Sequence, residues 1–220
     1  MHRIKSILLL LFIVGVTVLL PFISSMADEI IVFNNLSKGI NKQIAYQPIT
    51  LFITIFFLII LWTVRKEEFL DHFRKGNISA PILPEPWAGI KPKSNENWWH
   101  FGRNFAIIIS LVTIIVIYFQ FFKNGAFSFV TILKALPFIL VFSLTNSFVE
   151  EVITRLGVVV ILKNTVKDKT IPIISAIIFG TVHYWGNPGG IVGILVAGFL
   201  GWFLAKSILE TKGIFWAWLI

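Results

Sequence analysis

Glu150, Glu151 and Arg155 put three charges within six positions of an otherwise largely apolar run, residues 129–162. A charge at the bilayer centre costs about 2.5–3.5 kcal/mol on insertion scales, so charges in such segments are rare and usually functional. Glu151 and Arg155 stand at i, i+4 with the acid first, the favourable order for a helical ion pair. Glu150 lies about 100° around a helix from Glu151 and is expected to have no partner within its own segment. A carboxylate left unpaired in a dry site is a candidate general base.

These residues need helices to hold them. The chain has 220 residues, 56% hydrophobic and 14% charged, and its long apolar runs predict an all-α, polytopic membrane helical bundle. Six full spans are expected at residues 7–23, 49–64, 105–122, 129–162, 171–185 and 191–205, with a seventh apolar segment opening at 213–220. Eight residues rise only about 12 Å against a hydrocarbon core of about 30 Å. The seventh segment is therefore expected to be the truncated start of a longer helix. Pro48 is expected to open the second span and Pro137 to kink the fourth. The basic start at Arg3 and Lys5 is read as leading into an uncleaved first span, because Phe22 to Ala27 makes a mediocre cleavage site.

The net charge of +8 is read as positive-inside bias, not as a nucleic-acid surface. With the N-terminus inside, fourteen Lys and Arg fall on inner segments and three on outer ones. This count also favours a single crossing by residues 129–162. The chain divides into an N-terminal three-span region, 1–128, carrying a long inner loop at 65–103, and a core at 129–220. Trp87, Trp98 and Trp99 in the loop are read as headgroup-level anchors. The absence of Cys excludes disulfides, thiolate zinc sites and cysteine nucleophiles.

His183 is the second intramembrane candidate. Glu150 lies twelve residues before Leu162, and His183 twelve residues after Ile171. On antiparallel helices both sit about 18 Å from the inner boundary, at one depth, where they can share a site. Phe179, one turn from His183, walls it. Gly193, Gly198 and Gly201 in the next span let helices approach closely.

Glu150, Glu151 and Arg155 form Glu-Glu-x-x-x-Arg, and Phe179 and His183 form Phe-x-x-x-His. In these two motifs, their order and their interval, residues 129–220 resemble the CAAX-protease and bacteriocin-processing (abortive-infection) family of intramembrane glutamic endopeptidases. The resemblance implies hydrolysis of a peptide bond in a membrane-associated or lipidated peptide. Glu150 would activate water and His183 would position it or stabilise the oxyanion, with Glu151 and Arg155 fixing the geometry. The family's last motif, a His followed four residues later by Asn or Asp, is expected beyond Ile220. Asn187 has that spacing from His183 but falls in the turn Gly186-Asn187-Pro188-Gly189-Gly190.

Three other readings follow from the same residues. Zinc would be a cofactor if Glu150 and His183 were ligands. A non-catalytic relative would bind a membrane peptide, as in bacteriocin immunity. A proton-coupled transporter would use Glu150 and His183 as a relay, although no internal repeat supports alternating access. The partners expected are membrane lipids and a membrane peptide or protein, in a multi-pass protein of the cell membrane.

Overall fold

The computed structural model describes residues 2–123, 129–186 and 189–220. The α-helices among the described residues are α1 (His2–Ala27), α2 (Lys38–Val64), α3 (Lys66–His72), α4 (Trp98–Lys123), α5 (Phe129–Glu151), α6 (Gly157–Leu162), α7 (Thr170–Val182), α8 (Gly190–Thr211) and α9 (Phe215–Leu219). The described residues form no strand, only isolated bridges at Pro81–Asn97 and Glu85–Ile90.

Among the described residues five helical segments are long and apolar enough to cross a membrane: Ile4–Ala27, Lys38–Val64, Trp98–Val116, Leu133–Leu162 and Gly190–Thr211. The protein is a multi-pass membrane protein. The fifth expected span, 171–185, corresponds to the shorter apolar segment Thr170–Trp185, and the apolar segment at 213–220 holds the five-residue helix α9. Leu133–Leu162 is one continuous candidate span.

Several boundaries differ from the sequence reading. The second span starts at Lys38, not at Pro48, which lies inside α2. Ser37 caps the helix by accepting the Ile40 N–H, so a polar first turn is helical although hydropathy excludes it. Asn41 then closes the α1–α2 connection. Its Oδ1 accepts from Val32 and Phe33 N–H, and its Nδ2 donates to the carbonyls of Phe33, Leu36 and Ser37. The α5 helix runs through Pro137 without ending.

The long loop is built into the bundle. Asn77 N–H bonds Thr211 O, Ile214 N–H bonds Arg74 O, and Trp216 Nε1 bonds Ile78 O. Trp98, expected at the headgroups, is instead fully buried, and its Nε1 donates to Glu210 at 2.8 Å. The same carboxylate accepts Leu83 N–H and pairs with buried Lys206. Trp87 and Trp99 are exposed, as a surface anchor requires.

The tightest packing is between α7 and α8. A Cβ on Gly180 would stand 2.7 Å from Ile194 O, and one on Gly201 would stand 3.2 Å from the Phe179 Cβ. Glycine at these positions lets the two backbones meet, as the small-residue pattern of α8 predicts for Gly198 and Gly201. Ser175 sits in this seam, fully buried, bonding both Thr154 O (2.9 Å) and Gly201 O (3.2 Å). One hydroxyl thereby ties α7 to α8 and to the motif-bearing segment.

Candidate active site

Between α5 and α6 the chain does not hold an α-helical register. Val152–Leu156 form a π turn, with Gly157 N–H reaching back to Val152 O. Such single-turn π segments carry one extra residue per turn and often mark functional sites. This one contains Arg155 and follows directly on Glu150 and Glu151. The sequence reading treated this stretch as regular helix.

Arg155 and Glu151 form the expected ion pair, with Nη1 to Oε1 at 3.1 Å and both side chains at or below 6% exposure. The guanidinium also donates to Thr154 Oγ1 (2.9 Å), and its Cζ lies 3.4 Å from the centre of the Phe179 ring. Phe179 is thus more than a wall. It is a platform for the buried cation, a contact worth about 2 kcal/mol when desolvated. Thr154 completes the link by donating to Glu150 O at 2.7 Å.

Glu150 is not without a partner in its own segment. Asn146, one turn earlier, donates from Nδ2 to Glu150 Oε1 at 2.8 Å. The pairing is an i, i+4 amide–carboxylate contact, so the spacing in the sequence carried the signal. Asn146 leaves the second carboxylate oxygen available and fixes the rotamer of the first.

His183 is where α7 ends and tightens into a short 3-10 turn, His183–Trp185. Its Nδ1 lies 2.8 Å from Phe179 O. A carbonyl can only accept, so Nδ1 carries the proton and Nε2 of the neutral ring keeps its lone pair. The Phe179 and His183 rings are also in contact, with centres 4.1 Å apart and planes tilted by 53°. One phenylalanine therefore orients both the imidazole and the guanidinium.

Glu150, Phe179 and His183 together line two cavities. The smaller, about 250 Å³, is closed by α1 and α2 through Thr17, Pro21, Ser24 and Tyr46. The larger, about 480 Å³, is walled by aliphatic side chains of α4 and α8 and by Trp218 of α9, and Glu151 and Arg155 also border it. The residues singled out from sequence thus come together at one place in the bundle, and Asn146 and Thr154 join them. Asn187 lies outside the described residues.

Chemically, a carboxylate and an imidazole lone pair on one cavity can both accept from a single water. That water would be held by two partners, the minimum for ordering it, with its own lone pair turned outward. Glu150 and His183 supply two donor groups where a catalytic zinc takes three protein ligands. Among the described residues no group of three or more His, Cys, Asp or Glu side chains gathers.

The geometry thus defines a multi-pass helical membrane protein in which Glu150 and His183 border a common cavity. The comparisons narrow this. Residues 132–220 match the Rce1-like family, type II CAAX prenyl endopeptidases. No curated protein and no solved structure matches the chain. The matched segment contains both motifs, and the family it names is a protease family. That match does not favour the bacteriocin-immunity alternative.

Proposed function

We propose that this protein is an intramembrane endopeptidase that hydrolyses a peptide bond in a prenylated or otherwise membrane-associated peptide. The observation that carries the reading is that Glu150 and His183, on separate helices, border the same cavity within a segment similar to a prenyl endopeptidase family. Water held between them donates one proton towards Glu150 and the other towards His183 Nε2. As the scissile carbonyl carbon comes within reach, Glu150 takes the first proton and the water oxygen forms the new C–O bond. The carbonyl π electrons move to oxygen. The oxyanion then collapses and the C–N bond breaks, with the amine leaving group taking the proton from Glu150. Asn146 holds the carboxylate in register, while the Glu151–Arg155 pair stacked on Phe179 holds the helix that bears it.

The fourteen-to-three distribution of Lys and Arg supports an N-terminus on the inner side. The test is cleavage of a fluorogenic farnesylated peptide ending in a CAAX sequence by the purified protein in proteoliposomes. Product masses identify the broken bond. Release of a C-terminal fragment is the expected result, and an intact peptide after extended incubation would count against the reading.

A further inference from the structure

The smaller cavity is closed by helices outside the matched segment, so the N-terminal pair α1–α2 contributes its own side chains beside Glu150. Peptide hydrolysis through Glu150 needs a donor for the oxyanion. His183 is poorly placed to be that donor in its neutral form, because the Phe179 carbonyl holds its one N–H at Nδ1. Asn146 directs one of its two amide N–H groups to Glu150. Arg155 Nη1 is committed to Glu151 and Thr154, and its Nε is fully enclosed.

The hydroxyls on the cavity narrow the choice. Thr17 donates to carbonyls of its own helix, and Thr154 donates to Glu150 O. Of the hydroxyls lining this smaller cavity, those of Tyr46 and Ser24 have no bonded partner. Tyr46 is the stronger acid of the two, a phenol against an aliphatic alcohol, and it stands within electrostatic range of the Glu150 carboxylate. Its placement is also fixed. Its neighbour Gln47 is buried and pins α2 to α5, accepting from Thr145 Oγ1 at 2.7 Å and reaching Phe142 O at 3.5 Å. That anchor lies five to eight residues before Glu150 on α5.

We propose that Tyr46, supplied by the N-terminal helix pair, is a catalytic residue that donates its phenolic O–H to the substrate carbonyl oxygen as the oxyanion forms. The proposal rests on the peptidase reading. The N-terminal helices are then part of the catalytic site and not only a membrane anchor.

The test compares Tyr46→Phe and Glu150→Gln in full-length protein, using the farnesylated peptide. Tyr46→Phe should lower kcat by about 10²-fold, the usual effect of losing one oxyanion donor. KM should stay within twofold and the thermal midpoint should not move, because the hydroxyl has no partner in the resting protein. If Tyr46→Phe retains kcat while Glu150→Gln is inactive, Tyr46 is not the donor and the peptidase reading stands. A parallel fall in kcat and thermal midpoint would assign Tyr46 to packing and overturn the proposal. If the wild-type protein leaves the peptide intact, both readings fail together.

Discussion

Replacing Arg155 with Met removes three interactions at once. The side chain pairs with Glu151 at 3.1 Å, donates to Thr154 and lies over the Phe179 ring. Glu151 Oε2 already has no partner. Without Arg155 the carboxylate would be stranded at 5% exposure. Breaking a buried pair from one side costs about 3–5 kcal/mol, because the other charge stays buried. The lost cation–π contact puts the expected cost near the top of that range, about 5 kcal/mol. For a chain of this size each kcal/mol moves the midpoint by about 2–4 °C, so a fall on the order of 10 °C or more is expected in detergent micelles. Arg155→Lys keeps the charge but not the planar stack, and should fall between. The double variant Glu151→Leu/Arg155→Met strands no charge and should recover at least about 2 kcal/mol relative to Arg155→Met alone. A loss below about 1 kcal/mol for Arg155→Met, or a double variant as unstable as the sum of its parts, would refute the argument.

Other outcomes follow from the same geometry. Ser175→Ala removes the hydroxyl that ties Thr154 O and Gly201 O together; it should cost about 1 kcal/mol and lower kcat more than KM, measured on the farnesylated peptide. Gly180→Ala drives a Cβ to 2.7 Å from Ile194 O. That overpacking should cost about 1–3 kcal/mol, read as a lower thermal midpoint. His72 is buried outside the spans, and burial lowers its pKa from the usual value. The unfolded chain therefore binds the proton more tightly, and stability is full above about pH 6.5 and falls as pH drops below it. His72→Gln should flatten that slope in unfolding midpoints taken from pH 7.5 to 5.

The helical membrane class was legible from hydropathy, the Glu151–Arg155 pair from i, i+4 spacing, and the meeting of Glu150 and His183 at one cavity from their equal distances to the α6–α7 connection. Glu151 and Arg155 pair as those rules require. The start of α2 was not legible from hydropathy, since Ser37 and Asn41 build it from polar caps. Trp98 reads as a headgroup anchor from its neighbours, yet Glu210, 112 positions away, gives its indole N–H a buried partner. The π turn at Val152–Leu156 leaves no mark in hydrophobic periodicity, because its residues are buried on every side. Asn146 was within reach of the same spacing rule that found the Glu151–Arg155 pair. Tyr46 was not, because only the packing of α2 on α5 brings it to Glu150.

The central claim is that Glu150 activates the water that cleaves the peptide. The most direct measurement is the turnover rate of Glu150→Gln against the wild-type protein in proteoliposomes carrying the farnesylated peptide, with thermal midpoints recorded for both. Gln keeps the shape and the contact with Asn146 but cannot take a proton. The account predicts loss of at least about 10²-fold in kcat with an unchanged midpoint. Wild-type turnover in Glu150→Gln would contradict it.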